Sequence, residues 1–284
     1  MKEISFNIFV LSYIYFIKNF FTSKSIEKIY LKLDENDDYK KQIFFECGGG
    51  YWSYYCGIMK FIKEKYSNNI LNKIVWLGTS AGIYPVINAM KHFNPNKSMS
   101  VMKDGLNEVP QTWYGLIYRS NNLIKKYCHD NYLNNYENEI ISYKNNLFIG
   151  ILNLNIICPI FSSVTFYYNF DNINEFTESC LISHGIPFIT GPLKNTFVKH
   201  PKKWYIIRTD AGILTLLFGL IFGYELFMPY GKQVPSYVIS VNSFRKLNFS
   251  WLWIWPNLDH HEKMYKLGYE DAKANETKID QIIL

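Results

Sequence analysis

Two apolar runs near the start of the chain each end in glycine and resume as helix, and this repetition constrains the fold more than any other feature. Gln42-Ile43-Phe44-Phe45-Glu46-Cys47 runs into Gly48-Gly49-Gly50 and then into a helical stretch from Tyr51 to Lys65. Ile74 to Leu77 runs into Gly78-Thr79-Ser80-Ala81-Gly82, after which Ile83 to Lys91 reads as helix again. Short continuous apolar runs bounded by turns suit strands buried on both faces, and strand-turn-helix in succession builds a parallel sheet covered by helices. The 284 residues contain no linker, repeat or low-complexity block, which fits one large α/β domain over residues 41–284 behind an apolar lead-in, residues 1–40.

The glycines are placed for chemistry. Gly78 and Gly82 lack Cβ atoms and let strand and helix close around Ser80, lifting its hydroxyl off the C-terminal edge of the sheet. The helix that follows puts its positive end near that oxygen. The bland alternative, a packing turn, accounts for the glycines and leaves Ser80 idle. Gly48-Gly49-Gly50 exposes backbone N–H groups that suit either a phosphate or the oxyanion of an acyl-transfer intermediate. A Walker-type loop needs Gly-Lys-Ser/Thr next, yet Tyr51 and Trp52 follow Gly50, and no G-x-G-x-x-G has the spacing for a dinucleotide. A serine at the second junction favours the oxyanion.

A serine nucleophile needs a base. His92 lies too close to the Ser80 helix, His129 and His200 stand in polar contexts, and His260-His261 open a late helix. Asp210 is better placed: Trp204-Tyr205-Ile206-Ile207-Arg208-Thr209 reads as a strand that delivers Asp210-Ala211-Gly212 to its C-terminal end. A carboxylate there can face a serine across the top of the same sheet.

With these residues in place the chain resembles the patatin-like phospholipases, which use a Ser-Asp dyad. Gly48-Gly49-Gly50 corresponds to the family's oxyanion loop, Gly78-Thr79-Ser80-Ala81-Gly82 to its nucleophile elbow, and Asp210-Ala211-Gly212 to its Asp-Gly-Gly/Ala motif. The stretch from Phe170 to Pro187, with Ser183-His184-Gly185-Ile186-Pro187, resembles the family's helix ending ahead of the aspartate strand. Tyr265 to Ala272 resembles the closing helix of the triglyceride-lipase branch. Ala211 stands where the motif carries its first glycine, and a positive φ there would strain it. The resemblance implies a three-layer α/β/α sandwich with a mostly parallel central sheet. It also implies a serine lipid acyl hydrolase acting on phospholipid or neutral acyl lipid through Ser80 and Asp210, without cofactor or metal. An acyltransferase with the same dyad and an inactive lipid-surface binding protein are the alternatives.

The remaining features bear on setting. Cys47, Cys56, Cys128, Cys158 and Cys180 are scattered without a C-x-x-C pair, which points to reduced structural thiols in a cytoplasmic protein. The formal charge of +6 favours anionic lipid modestly, and no nucleic-acid motif accompanies it. Ile4 to Phe21 reads either as an interfacial anchor, with Lys18, Lys24 and Lys28 toward headgroups, or as a first packing helix. Ala211 to Tyr230 reads either as a buried or membrane-facing insertion near the site mouth or as a plain core helix. Trp251, Trp253 and Trp255 suit a membrane interface or one face of a strand, and Lys199 to Lys203 reads as a solvated loop with headgroup contact as the alternative. A membrane or lipid-droplet surface is the partner these segments imply.

Overall fold

The computed structural model describes residues 1–7, 31–33, 38–90, 93–108, 146–186, 190, 198–248 and 257–284. Among the described residues eight strands form one mixed sheet: β1 (Lys2–Asn7), β2 (Lys41–Phe45), β3 (Ile74–Thr79), β4 (Leu147–Asn155), β5 (Ser163–Tyr168), β6 (Val198–His200), β7 (Lys203–Asp210) and β8 (Ser236–Ile239). The helices among the described residues are α1 (Trp52–Lys65), α2 (Asn68–Leu71), α3 (Ile83–Asn88), α4 (Pro95–Asn107), α5 (Ile173–Ser183), α6 (Gly212–Phe222), α7 (Leu258–Ala274) and α8 (Glu276–Ile283). The path β1-β5-β4-β3-β2-β8 is parallel from β4 to β8 and antiparallel from β1 to β4. The parallel half carries both glycine junctions.

Both faces of the central strands are buried, which is why β2, β3 and β4 carry near-continuous apolar runs. Alternating side chains divide between two cores. Ile43, Phe45, Trp76, Ile149 and Ile151 pack with residues of α1, α3, α5, α7 and α8 on one face. Phe44, Val75, Leu77, Phe148 and Phe166 pack on the other with Leu226, Phe227, Met228 and Tyr230. Helices α1 and α7 approach backbone to backbone, since a Cβ on Gly57 would overlap the carbonyl of Tyr265 and one on Gly268 that of Tyr54. Next to this crossing the buried Asp271 accepts from Tyr54 Oη at 2.9 Å and from Arg245 Nε at 2.7 Å, which ties α7 to α1 and to the loop after β8.

The N-terminal expectation needs correction. Residues Lys2–Asn7 are an edge strand paired antiparallel with β5, and Ile4 is buried, so the first part of Ile4 to Phe21 belongs to the sheet and not to a helix or a separate lead-in. The alternation Ile4-Ser5-Phe6-Asn7 suits an edge strand with one covered face. Residues 8–30, His92, His129, Cys128 and Trp251 to Trp255 lie outside the described residues.

The stretch from Ala211 to Tyr230 divides between a surface helix and a core segment, so it is not a plain core helix. Its second half turns through a 3-10 helix at Tyr224–Phe227, just ahead of another at Gly231–Gln233, and fills the second core. Its first half is α6, which directs Leu214 and Phe218 inward but leaves Ile213, Leu217, Leu220 and Ile221 exposed. No helix among the described residues is long and apolar enough to cross a membrane.

Candidate active site

β3 and β7 approach each other end to end along one edge of β4. β3 runs parallel to β4 and stops with Thr79 beside Gly150, whereas β7 runs antiparallel and stops with Asp210 beside Ile151. The opposite edge of β4 is occupied by β5 over the same residues, so β3 and β7 must share this one. Both strands turn away where they would collide. The residue after one, Ser80, thereby meets the last residue of the other, Asp210.

The turn at Ser80 is the sharp one its glycines imply. Ser80 has φ 53°, a left-handed conformation that a residue with a Cβ adopts only under constraint. A Cβ on Gly78 would overlap the carbonyl oxygen of Gly82, and one on Gly82 would overlap that of Phe45. Only glycine allows strand, elbow and the end of β2 to lie this close. A clamp completes the turn: the Ser80 N–H donates to Ser183 Oγ at 3.2 Å, and the Ser183 hydroxyl donates to the Gly150 carbonyl at 2.7 Å. The elbow is thus tied to α5 and to β4.

Asp210 has one oxygen held and one open. Its Oδ1 accepts from the Gly212 N–H at 2.5 Å, while among the described residues its buried Oδ2 has no partner in full hydrogen-bond geometry, although the Ser80 hydroxyl lies near enough to draw its pKa down. Burial pushes the carboxyl up to about 7, against the smaller opposing pull of the Ser80 hydroxyl and the Gly212 amide. Thr209 and Asp210 are anchored from the side by the Gly185 carbonyl, which accepts from Thr209 Oγ1 at 2.9 Å and from the Asp210 N–H at 3.4 Å.

Ala211 is unstrained, with φ −95° and ψ −6°, so the departure from the glycine motif does not distort the aspartate. The indispensable glycine is the next one. A Cβ on Gly212 would stand 2.6 Å from Cys47 Cβ, 2.8 Å from Asp210 Oδ1 and 2.9 Å from Ser80 Cβ. These three groups converge on the space where Gly212 has no side chain.

The glycine-rich loop lies against the elbow. Gly49 takes φ 49° and leads into a 3-10 turn, Gly49–Tyr51, that packs on the turn Ser80–Gly82. Tyr51 N–H closes this turn onto the Gly48 carbonyl at 2.9 Å, and among the described residues the Gly49 and Gly50 amides have no backbone acceptor. Cys47 and Cys56, on either side of the loop, are free thiols whose pKa burial pushes far up, with Asp210 and Glu46 adding to the effect at Cys47, which disfavours the thiolate at both.

Three neighbours of the site carry no role in the sequence pattern: Ser183, His184 and Glu46. His184 is buried with both ring nitrogens unpartnered, edge-on to Tyr84 at 5.9 Å, and burial pushes its pKa down to about 4. Glu46, buried between β2 and the glycine loop, is pushed up to about 7 by the same cause. None of the described histidines hydrogen-bonds to Ser80 or Asp210: His200 Nδ1 accepts from the Lys202 N–H, and His261 pairs with Ser53 Oγ at 3.1 Å. Among the described residues no group of three or more His, Cys, Asp or Glu is placed to hold a metal.

Compared with known proteins, the chain matches no family model, no curated protein and no solved structure.

Proposed function

We propose that the protein is a serine lipid acyl hydrolase of patatin-like, three-layer design, cleaving fatty-acyl esters through Ser80 and Asp210. The observation that carries this reading is the end-to-end approach of β3 and β7, which puts a serine in a left-handed turn beside a buried carboxyl with one unpartnered oxygen. A packing turn gives no reason to strain Ser80 or to bury Asp210 Oδ2 unpaired.

Asp210 Oδ2 takes the proton from Ser80 Oγ as that oxygen attacks the acyl carbonyl. The amides of the Gly48 to Gly50 loop stabilise the oxyanion. Collapse of the tetrahedral intermediate breaks the ester bond, and the leaving alcohol receives the proton from Asp210. Water then attacks the acyl-enzyme, giving one proton to Asp210, and the fatty acid departs as Ser80 is reprotonated. Buried Oδ2 is suited to this role because a carboxyl with a pKa near 7 is a stronger base than an exposed one.

The test is a panel of phospholipids, acylglycerols and a soluble short-chain ester, combined with labelling by a fluorophosphonate. Covalent labelling at Ser80 and release of free fatty acid support the reading. A chain that neither reacts with the probe nor releases fatty acid from any member is a binding protein instead. Transfer of the acyl group to an added alcohol in place of release to water identifies an acyltransferase using the same dyad.

A further inference from the structure

We infer that the protein docks on anionic phospholipid bilayers through the tip of the β4–β5 and β6–β7 ribbon, a partner assignment that rests on the lipid-hydrolase reading and extends it. β4 continues for five residues past Gly150, the level of the elbow, and carries β5 and β7 with it. At about 3.3 Å per residue the ribbon rises roughly 17 Å beyond the catalytic edge. Its end is apolar where a solvated tip would be polar.

The loop joining β4 to β5 exposes Ile156, Ile157, Ile160 and Phe161, at 48%, 65%, 53% and 61% of their surface. Trp204 at the start of β7 is 72% exposed, and the Ile156 N–H donates to the Tyr205 carbonyl at 3.0 Å, so loop and strand form one end. Five large apolar side chains grouped at a protruding tip have no folding purpose there, because each is hydrated in the folded chain. The same end is cationic: Lys199, Lys202 and Lys203 are exposed on the β6–β7 hairpin, and neither the loop 156–161 nor the hairpin 199–204 contains an acid. Lysines ringing an apolar, tryptophan-bearing tip match an anionic headgroup layer above an acyl interior. A neutral protein groove would not use the lysines.

Position supports the same occupant. The tip lies past the C-terminal end of β3, on the same side of the sheet as Ser80, and α6, starting two residues after Asp210, exposes Ile213, Leu217, Leu220 and Ile221. A bilayer docked at the tip lies off the same edge of the sheet that holds the dyad.

The experiment uses the full chain carrying Ser80→Ala, so that binding is read without hydrolysis, and vesicles of phosphatidylcholine with or without phosphatidylserine. Co-sedimentation with the phosphatidylserine vesicles is expected, weakened by high salt. Lys202→Gln with Lys203→Gln should reduce it by about twenty-fivefold, taking about fivefold per lysine near an anionic surface. Ile157→Ser with Trp204→Ser should reduce it by at least about tenfold with an unchanged thermal midpoint, because the side chains are exposed. Binding unaffected by both pairs overturns the inference, as does equal binding to neutral vesicles. Loss of a dimer in solution on Ile157→Ser with Trp204→Ser, without any vesicle dependence, assigns the patch to a second copy and overturns it too. Hydrolysis of the soluble ester by the same pairs with Ser80 restored should be unchanged, so failure of the catalytic reading shows separately from failure of docking.

Discussion

Thr79 and Asp210 stand beside consecutive residues of β4, Gly150 and Ile151, on one edge of that strand. Two strands of opposite direction therefore share a single edge and stop where they meet. The proposed chemistry follows from this collision, because the chain must leave β3 sharply at Ser80 and leave β7 at Ala211, and the two exits face each other.

Removing either member of the dyad should abolish the same function. Ser80→Ala and Asp210→Asn are each expected to lower kcat for a soluble ester by at least about a thousandfold, with the double variant little worse than either, because the two groups act as a unit. Steady-state kinetics of the three variants check this. Independent, multiplying losses would contradict the dyad.

The pH dependence follows from burial of the carboxyls. Proton transfer requires ionised Asp210, so kcat/KM should rise about tenfold per pH unit up to a pKa of about 7 and then level. Stability should move the other way. Folded-state values of Asp210 and Glu46 lie above their ordinary ones, 3.8 and 4.5, at about 7 each, so their protonated forms are the ones the fold favours. That contribution is fully present below about pH 4 and is lost as pH rises through about 7. Asp210→Asn or Glu46→Gln should therefore flatten the decline, and Asp210→Asn should give an inactive chain more stable at pH 8 than the parent. Denaturant titrations across pH measure it.

Ala211 and Gly212 should respond in opposite ways. Ala211→Gly adds unfolded-state freedom without relieving strain, and is expected to leave the rate unchanged while costing about 0.4–1 kcal/mol of stability. Gly212→Ala places a methyl against Ser80 Cβ and Asp210 Oδ1 and should cut turnover at least about a hundredfold. Paired rate and denaturation measurements separate the two. A gain in rate from Ala211→Gly would show that the alanine misplaces the carboxylate.

His184 tests dyad against triad. Its two nitrogens are buried without partners, so His184→Leu should keep the rate within about threefold and raise stability by about 1 kcal/mol through removal of unpaired polar groups. The gain should be larger in acid. A histidine with its pKa depressed from 6.5 to about 4 contributes stability above the unfolded value and loses it as pH falls toward the folded one. Thermal midpoints at pH 5 and pH 8, with ester turnover, decide the matter, and a thousandfold loss of rate would make His184 a base.

The sequence by itself marked the strands that lead into the two glycine junctions and the strand that ends at Asp210, and so singled out the serine and the aspartate of the proposed dyad. These are local: continuous apolar runs mark strands buried on both faces, and glycine marks the turns that cannot carry a Cβ. The starts of the strand at Ile74 and of the helix at Ile83 were legible for the same reason, whereas the strand runs on to Thr79, two residues beyond its apolar run. Tertiary structure alone decided what stands opposite what. The shared edge of β4, the Ser183 clamp on the Ser80 amide and the convergence on Gly212 join residues far apart in the chain, and local pattern carries no information about such pairings. Ala211 shows the limit from the other side, since a motif flags the departure from glycine but only the backbone angle shows that alanine fits. The N-terminus shows it again: an alternating apolar stretch suits helix or edge strand until a partner is present, and β5 makes Lys2–Asn7 a strand.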